Sequence, residues 1–260
     1  MCGNCSGEPT LITHYSQDPF YRYTNIEGRG KCPFVRDGLL YIDDPYIAFG
    51  WVCGLYSEEL KATWNNGFDG VAFAEQWLKD SEVVKSRLKK YRQLWKMLVL
   101  ALGYSMMPKK LAFQVKVQFG ITLSPDQAQG VYDAYWKMFA QVKKASDLKG
   151  REFKKTGGSI LTPFGFLSWP KAQHAAFNQY IQSQVSSIMV LIMKEVLARA
   201  TYAEYVTVIH DACIYQIPSK KVDEFRGVLT SVNDWLNNYL QWTVKVETGF
   251  AVGRTWAELK

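Results

Sequence analysis

A chain of 260 residues with 48% hydrophobic content can bury one large core or two small ones. Its formal net charge of +7 and pI of about 9.0 favour an anionic partner, most often nucleic acid. Five cysteines, an odd number, do not suit a secreted disulfide framework, and the N-terminus MCGNCSGEPT has no apolar core of signal-peptide length, so a cytoplasmic protein with no membrane partner is expected.

Cys2 and Cys5 form a CxxC, which is half of a zinc site; only Cys32 and His14 could complete it, and a reduced N-terminal tail is the expectation. The first fifty residues are rich in Gly, Pro and Asp, with one strand, GLLYID (38–43), that ends in Asp43 and Asp44 before Pro45. From 57 to 150 the apolar spacing is helical. A long helix is predicted over Ser81–Leu102, and within it RQLWKMLVLALGY sets Arg92, Lys96, Leu100 and Tyr104 four residues apart. The apolar run MLVLALGYSMM is too short to span a bilayer. SPDQAQGVYDAYWKMFAQVKKASDL begins with a Ser cap and a Pro at the first helical position, and KGREFKKTGGS is predicted to be a basic loop.

The last hundred residues change character. SILTPFGFLSW predicts short strands around a turn, and PKAQHAAFNQYIQSQVSSIMVLIMKEVLARA predicts one long helix. YVTVIHDACIYQIP predicts a hairpin with His210 and Asp211 at its tip. SKKVDEFRGVLTSVNDWLNNYL predicts a Ser-capped amphipathic helix, and QWTVKVETGFAVG a closing strand. Strands at both ends and helices between them imply an α+β sheet domain with a helical insertion.

Three constellations carry chemistry. Asp43 ends an apolar strand and Asp211 sits on a hairpin tip, and two such carboxylates brought together repel unless a cation lies between them. Mg²⁺ suits that position, and two ions about 3.5–4 Å apart can clamp the attacking and leaving oxygens of a phosphoryl transfer. Steps of four along a helix drift slowly, so Arg92 and Lys96 could hold a triphosphate while Leu100 and Tyr104 pack against a base. His174, Asn178 and Gln182 are also four apart and could meet base edges in a minor groove. Each pattern by itself is also met in turn residues, basic helix surfaces and polar helix faces.

Taken in order, these parts resemble the family A DNA polymerases, the DNA polymerase I-like and phage replicative enzymes, from about Thr10 to Lys260. LLYIDDPYIAFGWVCGLYSEE is similar to the first palm motif, RQLWKMLVLALGY to the fingers helix, NQYIQSQVSSIM to the segment that follows the TPFGF hairpin, and VIHDACIYQIP to the second palm motif. VKVETGFAVGRTW resembles the closing strand. The resemblance implies an antiparallel palm sheet with a large helical fingers insertion: palm at 1–56 and 158–260, fingers at 57–157. It implies that Asp43 and Asp211 bind two Mg²⁺, with the Asp44 backbone carbonyl as a further ligand. Arg92 and Lys96 would hold the incoming dNTP phosphates, and Lys96 would protonate the leaving pyrophosphate. Leu100 and Tyr104 would pack on the nucleotide, His210 would sit near the primer end, and His174, Asn178 and Gln182 would contact the DNA primer-template.

Three positions depart from the family pattern: Ala48 replaces the Glu that helps block a ribose 2′-hydroxyl, Leu100 replaces an aromatic residue, and Ala212 replaces the Glu of His-Asp-Glu. Weaker discrimination against ribonucleotides is therefore expected. Synthesis of RNA or primers by a related polymerase, or a degenerate fragment that only binds nucleic acid, are the competing readings. The resemblance also implies a right-hand polymerase lacking thumb and exonuclease domains. A second polypeptide carrying them, as in a phage-type split polymerase, is the expected partner.

Overall fold

The computed structural model describes residues 2–5, 7–66, 72–209, 212–255 and 258. Packing divides the chain into two compact units, Met1–Tyr15 with Lys149–Lys260, and Ser16–Leu148. These limits follow contacts, whereas limits at 56/57 and 157/158 follow motif positions.

The chain starts with β1 (Cys2–Cys5) and α1 (Gly7–Ser16). The expected N-terminal tail is thus a strand, and nothing in CGNC alternates in the way that marks one. Its backbone is held by two neighbours far along the sequence.

In the Ser16–Leu148 unit, Asp18 caps α2 (Pro19–Arg22) by accepting from the Tyr21 N–H at 2.8 Å, with Pro19 at the first helical position. A π-helical turn (Tyr23–Glu27) follows, then a hairpin of β2 (Phe34–Arg36) and β3 (Leu39–Tyr41). Asp37 and Gly38 both have positive φ, 52° and 75°, as a two-residue hairpin turn requires. The predicted strand over 38–43 therefore stops at Tyr41, and Asp43 lies two residues past it.

Asp44 then caps α3 (Pro45–Gly50). Next come α4 (Ser57–Asn66), α5 (Phe73–Lys79), α6 (Ser81–Arg87) and α7 (Lys89–Gly103). The single helix predicted over Ser81–Leu102 is two, separated at Leu88, whose ψ of 3° leaves the helical region while its side chain is buried. Neither Pro nor Gly stands there, so the sequence carried no signal of the break. α8 (Pro108–Phe119) and α9 (Pro125–Met138) follow. The predicted Ser124 cap forms, as a reciprocal capping box with Gln127.

α3 packs directly on α7. The indole of Trp95 is fully buried and donates to the Leu55 carbonyl at 2.9 Å. A Cβ on Gly50 would stand 2.4–2.6 Å from three of its ring atoms. Gly50→Ala is expected to destabilise the protein by about 1–3 kcal/mol through overpacking. A urea midpoint unchanged from wild type would contradict that close approach.

α10 (Ala140–Lys155) runs through most of the segment predicted as a basic loop. Gly150 is tolerated inside it because a side chain there would crowd Gln173, with a Cβ only 3.1 Å from that residue's Cγ. The helix ends at Gly157 and Gly158, whose φ values of 71° and 103° favour glycine. The Gly158 N–H closes it by donating to the Phe153 carbonyl at 2.9 Å.

The remainder of the first unit comprises β4 (Ile160–Leu161), β5 (Leu167–Ser168), α11 (Ala176–Arg199), β6 (Glu204–Ile209), β7 (Ala212–Gln216), α12 (Val222–Leu240) and β8 (Thr248–Phe250). The four-stranded antiparallel sheet has the order β6-β7-β1-β8, with Cys2 opposite both Cys213 and Phe250. The predicted TPFGF turn and the 205–218 hairpin both form. Two predictions are corrected. Ser219 opens a 3₁₀ turn, so Lys221 and not Ser219 precedes α12. The closing strand is only three residues, because Asn237 takes up the backbone before it: its side chain donates to the Val246 carbonyl and accepts from the Val246 N–H.

Gln173–Arg199 is 27 residues long with a mean hydropathy of 1.2, enough by length and composition to cross a membrane. Phe177, Tyr180, Ile181, Ile188, Ile192 and Val196 on it are buried, so α11 serves as the central core helix of its unit.

Candidate functional site

The sequence DDP does two different jobs in two adjacent carboxylates. Asp44 is buried, and its Oδ1 accepts from the backbone N–H groups of Tyr46 and Ile47, each at 3.0 Å. Its Oδ2 accepts from Arg92 Nε and Nη2, each at 2.7 Å. A carboxylate offers about four lone-pair positions, so four donors fill the Asp44 side chain. Its main-chain carbonyl also accepts from the Ala48 N–H, at 2.9 Å. Asp43 is half-buried, and its Oδ1 accepts from the indole N–H of Trp77 on α5 at 2.7 Å.

Arg92 and Lys96 both face the ring of Tyr46. The Arg92 guanidinium carbon lies 5.1 Å from the ring centroid, and Lys96 Nζ 5.9 Å from it, within cation–π range. Arg92 has five N–H donors and Asp44 takes two of them, so its fork is oriented while donors remain. The Lys96 side chain is exposed. One turn further, Lys96, Leu100 and Ala101 line a cleft of about 340 Å³ with Gln114, Gln118 and Phe119 of α8. Leu100 and Tyr104 are exposed, and Tyr104 closes α7 by donating its backbone N–H to the Leu100 carbonyl. On the predicted stripe of α7, Lys96, Leu100 and Tyr104 are exposed, while Arg92 is half-buried against Asp44. Ala48 is fully buried in α3, two residues before Gly50.

In the other unit, Asn178 and Gln182 lie on α11, and His174 lies in the 3₁₀ turn (Gln173–Ala175) that runs directly into it. Three residues and not 3.6 make a turn there, so His174 is rotated from the line of Asn178 and Gln182 by more than four α-helical residues give. The Gln182 amide donates to the Glu8 carboxylate. Gln179, Gln182, Ser183 and Ser186 form one wall of a cleft of about 730 Å³ that Phe164, Phe166 and Tyr239 complete. His210 and Asp211, at the predicted hairpin tip, lie outside the described residues.

Trp77 and Tyr46 were not foreseen. Trp77 is 34 residues from Asp43 and no spacing rule links them. Tyr46 could have been found, since it follows Asp43 by three residues on a helix that Asp44-Pro45 announces. For a metal, the donor set is consistent with a hard cation: Asp43 offers carboxylate oxygen, while the Asp44 side chain is occupied. Among the described residues no group of three or more His, Cys, Asp or Glu could hold an ion. Nor is a reactive thiol present at Cys53, where burial pushes the pKa up to about 11.

The architecture around these residues is that of a polymerase domain. The POL domain of Pol1 from M. smegmatis, solved in complex with DNA primer-template and dNTP, matches 99% of this chain with a TM-score of 0.69, at 16% sequence identity. The model of DNA polymerase family A matches residues 57–258, and the chain belongs to that family. DNA polymerase I of Aquifex aeolicus (strain VF5) is 23% identical over 187 residues, 69% of this chain. The chain spans 32% of that relative's length and 40% of the solved chain. Asp43, Asp44 and Ala48 precede the matched span, so their assignment rests on motif resemblance and on the geometry above.

Proposed function

We propose that this chain is the catalytic palm and fingers part of a family A DNA polymerase, extending a primer 3′-hydroxyl with dNTPs on a DNA template. The observation that carries the reading is the joining of α3 to α7. The segment that begins at Asp43 is tied by Asp44 to Arg92, and its Tyr46 ring lies under Arg92 and Lys96. The Asp43 carboxylate and the cations Arg92 and Lys96 thereby lie on adjoining segments, which supports the reading in a chain of a polymerase family.

In this reading Asp43 and Asp211 would hold two Mg²⁺, with the Asp44 main-chain carbonyl as a further ligand. Such ions, when bound, would activate the 3′-hydroxyl and neutralise charge on the leaving pyrophosphate. The chain's own residues position. Arg92, held by Asp44, presents its remaining donors to phosphate oxygens. Lys96 offers a mobile ammonium that can give a proton to the leaving group. Leu100 and Tyr104 flank the base, His210 lies near the primer end, and His174, Asn178 and Gln182 approach the primer-template. The palm comprises 1–56 and 158–260 and the fingers 57–157. A second polypeptide carrying a thumb or an exonuclease is the further partner of this reading.

Primer extension by the purified chain is the test, with dNTPs and rNTPs offered separately and Mg²⁺ present or chelated. Extension that requires Mg²⁺ is the expected result. With alanine at position 48, rNTP incorporation should be closer to dNTP incorporation than in a family member carrying Glu there; equal discrimination in the two enzymes would refute the role given to Ala48. No extension, either alone or with added thumb-bearing polypeptides, would overturn the polymerase reading and leave a nucleic-acid-binding fragment.

A further inference from the structure

We propose that the β2–β3 hairpin carries a stacking site for unpaired nucleic acid, formed by Phe34, Arg36 and Tyr41 and flanked by Tyr23 and Lys31. It deepens the polymerase reading, since a template strand ahead of synthesis is single-stranded.

Register builds the surface. Phe34 lies directly opposite Tyr41, and Arg36 is two residues along from Phe34, so all three share one face of the hairpin. The Phe34 and Tyr41 rings are stacked at 4.8 Å with planes 3° apart. The Arg36 guanidinium lies 4.8 Å from the Tyr41 centroid, and its Nη2 donates to the Tyr41 hydroxyl at 3.3 Å. The π-helical turn adds Tyr23, edge-on to both rings, and Lys31 Nζ lies 5.7 Å from the Tyr23 centroid. Two cations are thus pre-positioned against three aromatic rings.

Exposure separates this cluster from ordinary core. Residues 29–32 and 34–38 are exposed, and Phe34 keeps 39% of its surface open. On the other face of the hairpin Leu40 is fully buried and anchors it; on the aromatic face Tyr41 rests edge-on against the buried Phe20, at 4.9 Å, while Phe34 and Arg36 stay exposed. Charge selects the occupant. Lys31 and Arg36 lie against its rings and Arg29 is exposed nearby in sequence; of the acids nearby, Asp37 is 3.9 Å from Arg36, Glu27 pairs with Arg22, and the Asp43 carboxylate, after burial, raises the pKa of Tyr23. Aromatic faces interleaved with cations take bases and phosphates together. Bases within a duplex are stacked on each other and cannot lie on a ring, so the ligand is unpaired.

The test uses the full chain and a fluorescently labelled oligo-dT of about 12 nucleotides, within the site sizes such surfaces cover. Anisotropy titrations are run beside a duplex of the same length. Phe34→Ala should weaken oligo-dT binding about 5- to 100-fold, and Phe34→Trp should restore it. Arg36→Gln should weaken it too and lower the salt dependence by about one ion. Val35→Ala, exposed on the opposite face, should leave it unchanged, and none of these changes should alter duplex binding. Wild-type oligo-dT affinity in both Phe34→Ala and Arg36→Gln overturns the site. So does an equal loss on duplex and single strand, or no binding of oligo-dT by the wild type. Loss of primer extension with Phe34-dependent binding intact would overturn the polymerase reading and leave the site standing.

Discussion

Asp43→Asn is expected to lower Mg²⁺-dependent primer extension by about a thousandfold or more, with little change in thermal stability. On the proposed mechanism Asp43 holds metal, and metal stabilisation of transition-state charge is worth several kcal/mol, each 1.4 kcal/mol being tenfold in rate. The stability half of the prediction comes from Trp77. Its indole N–H is satisfied by Asp43 Oδ1, and an asparagine carbonyl at that place accepts the same hydrogen bond without the charge. Asp43→Ala is a different perturbation. It leaves the N–H of a buried tryptophan without an acceptor and should cost about 1–3 kcal/mol in addition to the activity. Single-turnover extension and thermal melting on both variants separate the two effects. An Asp43→Asn protein that extends primers at the wild-type rate would remove Asp43 from the chemistry.

Asp44→Ala should destabilise the protein by about 3–5 kcal/mol, the largest stability effect predicted. The substitution leaves the partly buried Arg92 guanidinium uncompensated, the usual origin of losses of that size. It also removes the cap of α3, since the Tyr46 and Ile47 N–H groups lose their acceptor. Asp44→Asn keeps an acceptor for the cap but sets an amide NH₂ where Oδ2 accepted from Arg92, so its loss should be smaller than that of the alanine variant only by the worth of the cap, about 1 kcal/mol. Urea denaturation of both variants decides this. A loss below about 1 kcal/mol for Asp44→Ala would mean that desolvation already offsets the pair. Activity should fall alongside stability, because the same carboxylate orients Arg92 and starts the helix that follows Asp43.

How much of this was legible in the sequence depended on the range of the interaction. Ser124-Pro125 announced a helix start and the capping box confirms it, because caps are made within three residues. The 205–218 hairpin and the TPFGF turn were equally readable. The α7 stripe was found from spacing alone, and its members remain exposed apart from the half-buried Arg92. What failed was settled by distant partners. Leu88 interrupts a continuous helical pattern without a breaker residue. Lys149–Lys155 is helical although a glycine and a run of cations suggested a loop. The hold of the Asp44 side chain on Arg92 was equally unreadable, because Arg92 lies 48 residues away.

The position of β1 bears on how the molecule is made. Its neighbours in the sheet are β7 and β8, and among the described residues β8 pairs there with β1 alone. Closing Cys2 against Cys213 and Phe250 joins points separated by most of the chain, so the pairing has to overcome loop-closure entropy late in folding. Until β1 is seated, the edges of β7 and β8 stand open and invite pairing with other chains. Refolding should therefore be most vulnerable to aggregation before the N-terminal strand docks, and an extension fused ahead of Cys2 would act on that step.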